Sequence, residues 1–186
     1  MSSLILVTGP RHSGKTLCSR ALGKIMGWEV VDLDELVEKQ TGKTARTLFN
    51  EGQEIFRKAE ALALASVFRT RSKDGSLIAA AGGGLIDNPE ALSLLSEPLL
   101  TSRFRKVIPV YLDVSPETAW RRILDAAAGG ELPPFLNTEN PRETHLALHR
   151  RRSESYRAMA FLTVYAENKT TDEIAGEIAD YLKESK

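Results

Sequence analysis

Along the chain, short apolar runs alternate with longer stretches in which apolar positions recur every three or four residues, the signature of strands interleaved with helices. Residues 4–7, Leu-Ile-Leu-Val, form a strand-type run that ends at Gly9-Pro10, and a helix is predicted over 15–26. Residues 29–32 are a second short strand, and 33–40 a short helix stopped by Thr41-Gly42. Thr44 stands where an N-cap belongs before a helix over 45–50, and a long helix is predicted from about 53 to 71. A third strand over 76–80 closes on Gly82-Gly83-Gly84, and a fourth covers 106–112. Ser115-Pro116-Glu117 then opens a helix to about 126, with a cap, a first-turn proline and an early acid. Residues 127–141 mix glycine, proline and polar side chains and are predicted to be a mobile surface loop. A basic helix over 142–158, a fifth strand over 161–165 and a closing helix over 171–183 complete the pattern. Continuous apolar strands separated by helices predict an α/β fold, with a parallel five-stranded sheet buried between helical layers. Ligands then belong at the carboxyl ends of the strands, where both glycine clusters fall.

At 186 residues the chain is expected to be a single domain with a substantial core. Apolar residues make up 42% and charged residues 27%, which excludes a fibrous or disordered chain. Its 25 basic and 25 acidic side chains cancel, so no global field recruits nucleic acid or an anionic membrane. The weakly polar stretch 76–86 is interrupted by three glycines and is too short for a bilayer span. The N-terminus lacks the charged region and cleavage site of a signal peptide, and the single cysteine, Cys18, cannot form an internal disulfide. A cytoplasmic protein is expected.

The strongest chemical signal is Gly9-Pro10-Arg11-His12-Ser13-Gly14-Lys15-Thr16, which fits G-x-x-x-x-G-K-[ST] between a strand and a helix. Glycines let backbone N–H groups wrap a phosphate, the lysine bridges the terminal phosphates, and the threonine hydroxyl suits Mg²⁺. The helix dipole adds to the anion site. Nucleoside triphosphate binding follows, with Gly9, His12, Ser13, Gly14, Lys15 and Thr16 as its residues.

Asp32 and Asp34 close the second strand, and alternation along an extended backbone would point both to one side. One could hold the metal's water shell and the other accept a proton from a substrate hydroxyl, while either could cap the helix that follows. Arg57 and Glu60 share a helix face at i, i+3 and could pair. The triplet Gly82-Gly83-Gly84 predicts a place where a ligand approaches the backbone closely.

Together these pieces resemble the shikimate kinases, small P-loop kinases of the nucleoside monophosphate kinase-like group. The resemblance covers the phosphate loop, Asp32-x-Asp34, Thr41-Gly42-x-x-Ala45-x-x-x-Phe49, Gly52-x-x-x-Phe56-Arg57-x-x-Glu60, the glycine triplet, Val110-Tyr111-Leu112 and Arg152-x-x-x-Tyr156. It implies a three-layer P-loop kinase fold with a lid near 127–141 and substrate-binding helices near 33–71. It implies Mg²⁺ and ATP-dependent phosphorylation of the 3-hydroxyl of shikimate, by a monomer. Lys15 and Asp34 would be catalytic, and Thr16, with Asp32 acting through water, would hold the metal. Asp34, Arg57, Gly82, Gly83, Gly84 and Arg152 would bind substrate, with Glu60 holding Arg57.

Three positions depart from the family pattern. His12 stands where the family has glycine, and Pro133 where it has a lid arginine. Arg142, Arg121 or Arg122 could supply the missing charge. After the last strand only Lys169 is available beside the adenine. A related kinase of another small hydroxy acid or nucleotide, or a ligand-binding homologue with an impaired lid, therefore remain alternatives. His145 and His149 are spaced i, i+4 as metal ligands on a helix can be, but they sit among arginines with no carboxylate or thiol pattern nearby, so no metal site is expected there; Cys18, Trp28 and Trp120 read as packing residues. The segment 87–106 reads as a surface insertion.

Overall fold

A computed structural model describes residues 2–69, 75–97 and 104–184. Five strands form one parallel sheet in the order β2-β3-β1-β4-β5: β1 (Ser3–Thr8), β2 (Glu29–Asp32), β3 (Leu77–Ala80), β4 (Lys106–Asp113) and β5 (Leu162–Tyr165). Eight α-helices flank it among the described residues: α1 (Lys15–Met26), α2 (Leu33–Thr41), α3 (Ala45–Glu51), α4 (Gln53–Arg69), α5 (Pro89–Leu95), α6 (Pro116–Ala127), α7 (Pro141–Met159) and α8 (Thr171–Glu184). This is the three-layer α/β architecture expected, with strands and helices close to their predicted bounds. The expected extension of α4 to Arg71 lies outside the described residues.

The central strand shows why the sheet holds. Leu4 to Val7 are fully buried, because helices cover both faces. Ile5 and Val7 pack with Leu22 of α1 and Ile178 of α8, whereas Leu4 and Leu6 pack with Leu64, Val67 and Phe68 of α4. Truncating any one of these leucines to alanine costs about 2–5 kcal/mol, since neither face can collapse onto the void.

Three short elements were not predicted. A single 3₁₀ turn, Leu85–Asp87, follows the glycine triplet, and α5 follows it with Asn88 as its cap, the side chain accepting from Ala91 N. A seven-residue helix is too short to display a period, so its sequence reads as loop. A second 3₁₀ turn, Pro134–Leu136, lies within the 127–141 loop.

The chain leaves β1 for the far edge, returns through β3, and then crosses β1 to reach β4. That reversal opens a crevice at the carboxyl ends of β1 and β3. Among the described residues no helix is long and apolar enough to cross a membrane.

Candidate active site

The phosphate loop fills that crevice. Gly9, with φ of +148°, has no room for a side chain: a β-carbon there would lie 2.7 Å from the Leu112 carbonyl oxygen. Gly14, left-handed at φ 95°, turns the chain into α1. His12 adopts φ 60°, a left-handed conformation that costs a non-glycine residue on the order of 1 kcal/mol. The expected side chain in a tight turn is therefore real, and Arg122 Nη1 braces it by donating to the His12 carbonyl at 3.1 Å.

Lys15 Nζ donates to the Pro10 carbonyl at 2.8 Å within the same loop. Burial, partly offset by Asp34, pushes its pKa down to about 8. Thr16 Oγ1 donates to Asp32 Oδ2 at 2.6 Å, which places two hard oxygen donors side by side at the start of α1. Asp32 also caps α2, its side chain accepting from Asp34 N and Glu35 N. The cap ends the extended backbone at Asp32, so Asp34 occupies the first turn of a helix and not the next strand position. Strand alternation therefore does not set the direction of Asp34, yet both carboxylates still line the same cleft.

The cleft measures about 1220 Å³ and brings together His12, Gly14, Lys15, Thr16, Asp32, Asp34, Arg57, Gly82, Gly83, Gly84 and Arg152. Gly9 and Ser13 are buried within the loop beneath it. Burial raises the Asp34 pKa, as does Asp32, while Lys15 and Arg11 oppose the shift. Arg152 Nε donates to Asp87 Oδ2 at 2.8 Å and Nη1 to the Gly83 carbonyl at 3.3 Å. Its guanidinium carbon also stands 5.6 Å over the Phe135 ring. Arg152 is thus the inward arginine of its run, although Arg151 reaches the same Asp87 carboxylate.

Several expectations need correction. Arg57 pairs with Glu54 at 2.8 Å, not with Glu60. Glu60 is buried and accepts from Asn88 Nδ2 at 2.9 Å, and burial lifts its pKa to about 7. One turn of helix separates the two partners, but Glu60 points inward to the sheet end while Arg57 stays in the open cleft. The glycine triplet makes room first for the chain itself. A β-carbon on Gly82 would lie 2.7 Å from Glu60 Oε1 and 3.1 Å from Asp34 Oδ1, and one on Gly83 would lie 3.0 Å from Arg11 N. Arg142 is exposed and lies outside the cleft lining, which instead takes Arg122. Lys169 pairs with Glu177 at 2.5 Å on the surface and lies outside that lining as well. His145 bonds the Pro116 carbonyl and His149 bonds Ser153, so both serve packing.

Residues the sequence did not single out also line the cleft: Arg11, Arg46 and Asp87. Arg11 fills an unspecified position of the phosphate-loop pattern, and Asp87 belonged to the supposed surface insertion. Neither carries a local signal. Arg46, on α3, donates to Glu131 Oε2 at 3.0 Å and to the carbonyls of Glu131 and Leu132, tying the 127–141 loop to the opposite wall.

Comparison with known proteins decides the family. A sequence model of the shikimate kinase family matches residues 11–183. The chain belongs to the shikimate kinase family. It is an ATP-dependent small-molecule kinase, and the activity of its family is phosphorylation of shikimate in the shikimate pathway. It is 34% identical to a shikimate kinase of Moorella thermoacetica over 184 residues, covering 98% of this chain and 96% of the relative. It is 31% identical to one from Marinomonas sp. over 180 residues, covering 96% of this chain and 91% of the relative. Among solved structures, a shikimate kinase from Acinetobacter baumannii in complex with shikimate superposes with a TM-score of 0.81 at 26% identity, covering 100% of this chain and 95% of that one.

Proposed function

We propose that the chain, as one kinase domain over residues 1–186, transfers the γ-phosphate of ATP to the 3-hydroxyl of shikimate. The observation that carries this reading is the convergence, in one cleft, of a phosphate loop, a helix-borne carboxylate and two arginine forks. A small acid bearing several hydroxyls fits that set, because guanidinium forks match a carboxylate and an aspartate matches hydroxyls.

Gly9, His12, Ser13, Gly14, Lys15 and Thr16 bind the phosphates of ATP, and Lys15 stabilises the transferring group. Arg57 and Arg152 hold the substrate carboxylate, exchanging Glu54 and Asp87 for it, and the backbone of Gly82, Gly83 and Gly84 forms the adjoining wall. Asp34 takes the proton of the acceptor hydroxyl as its oxygen bonds to the γ-phosphorus. The phosphorus–oxygen bond to ADP breaks, and ADP leaves with that electron pair. The adjacent Thr16 hydroxyl and Asp32 carboxylate fit Mg²⁺, Asp32 acting through water. When bound, the ion neutralises phosphate charge and aligns the phosphates.

Residues 127–141 act as the lid and helices within 33–71 as the substrate-binding side, with Arg122 at the nucleotide end in the place expected of Arg142. The protein acts as a cytoplasmic monomer on small molecules, and its balance of 25 basic and 25 acidic residues supplies no global field to draw in nucleic acid or an anionic membrane.

The test is ADP release from Mg-ATP with and without shikimate, with Asp34→Asn as control. Shikimate-dependent release that the variant loses supports the reading. Release that another hydroxy acid stimulates and shikimate does not would overturn it.

A further inference from the structure

The loop over the cleft, residues 127–141, contains no lysine, arginine or histidine. Positive charge for a phosphoryl group in transit must therefore come from the floor and walls. Most cations there are already engaged. Lys15 and Arg122 hold loop carbonyls, Arg46 holds Glu131, Arg57 holds Glu54, and Arg151 and Arg152 share Asp87.

Arg11 differs. Among the described residues it is the cleft arginine whose side chain makes no hydrogen bond or ion pair. Its base is fixed, because its backbone N and Cα stand 3.0 and 3.3 Å from where a β-carbon of Gly83 would be. The phosphate loop is thus pressed against the end of the strand that leads to the substrate wall. From there the Arg11 side chain shares one cleft with Lys15, which faces the phosphates, and with Asp34, which faces the acceptor. A guanidinium at a phosphate loop, free to turn and flanked by the acceptor's base, has the chemistry of an arginine finger supplied in cis.

We infer that Arg11 is a catalytic residue, its guanidinium binding the γ-phosphoryl group between Lys15 and Asp34 during transfer and neutralising the charge that spreads over its equatorial oxygens. The inference rests on the phosphoryl-transfer reading above. It adds no reactant: the bond to ADP breaks, the bond to the acceptor oxygen forms, and the acceptor proton still goes to Asp34. Arg11 keeps its protons throughout.

Such an interaction strengthens in the transition state, so its loss lowers kcat more than it raises KM. The experiment compares wild type with Arg11→Ala and Arg11→Lys. The expected result for Arg11→Ala is kcat lower by about 10²–10³-fold, the usual cost of losing one donor to transition-state charge, with KM for ATP and shikimate within about threefold. Arg11→Lys, which keeps one charge without the fork, should fall between. A second readout is independent of turnover. ADP with aluminium fluoride, a mimic of the group in flight, should raise the melting temperature of wild type well beyond ADP alone. Arg11→Ala should lose that extra rise and keep the response to ADP.

Unchanged kcat, a defect confined to KM for shikimate, or an undiminished fluoride response in Arg11→Ala would each overturn the assignment. Wild type that releases no ADP with shikimate would instead refute the proposed substrate, and the fluoride measurement would still report on Arg11.

Discussion

Thr16 and Asp32 share a 2.6 Å hydrogen bond, and the second oxygen of the same carboxylate caps α2 through the N–H groups of Asp34 and Glu35. One side chain therefore joins the phosphate loop to the helix that carries Asp34. Asp32→Asn preserves an oxygen for the cap and removes the anion. The Mg²⁺ concentration for half-maximal rate should rise by about tenfold or more, with little change in melting temperature. Asp32→Ala should add a stability loss of about 1 kcal/mol from the missing cap, measured by urea unfolding.

Asp34 must be ionised to accept a proton, and burial raises its pKa. Activity should therefore climb with pH through a range above that of an ordinary aspartate. In kcat/KM it should decline again as free Lys15 loses its proton near about 8. Asp34→Asn should lower kcat by about 10²–10⁴-fold and flatten the acid limb. A pH–rate profile of both proteins checks this.

Glu60 is 1% exposed, and its pKa is raised to about 7 from 4.5. The folded state then binds the proton more tightly than the unfolded chain. Its contribution is fully present below about 4.5 and is lost as pH rises through about 7. Glu60→Gln keeps an acceptor for Asn88 and removes the titration. Its unfolding free energy should gain on wild type between pH 5 and 8, by on the order of 3 kcal/mol at the upper end. A constant difference across that range would refute the assignment.

Gly82→Ala forces a β-carbon to within 2.7 Å of Glu60 Oε1 and 3.1 Å of Asp34 Oδ1, and Asn88 holds Glu60 in place through its other oxygen. Overpacking of this kind typically costs about 1–3 kcal/mol. Because Asp34 is crowded too, kcat should fall alongside the melting temperature. Steady-state kinetics on protein kept well below its unfolding transition separates the two effects.

Arg46 bridges α3 to Glu131 and Leu132 through groups that are largely solvated, so Arg46→Ala should change global stability by less than about 1 kcal/mol. The local effect should be larger. Limited proteolysis within 127–141 is expected to accelerate several-fold without ligand, while urea midpoints stay close to wild type.

Where a property depends on neighbours along the chain, it was legible beforehand. The phosphate loop is eight contiguous residues whose glycines and lysine specify their own conformation and chemistry. The strands announced themselves because burial on both faces demands continuous apolar runs such as Leu4 to Val7. Caps at Thr44 and Ser115 were readable because a cap bonds only two or three residues ahead. The partner of Glu60 was not readable, since Asn88 lies 28 residues away on an unforeseen turn. The same holds for Asp87 beneath Arg152, 65 residues apart, and for the choice of Arg122 over Arg142, which the packing direction of α6 decides. Local periodicity reports which face of an element is buried. Which charged groups meet at the sheet's edge is settled only when separate elements pack, because ion pairs form across distances that no sequence spacing records.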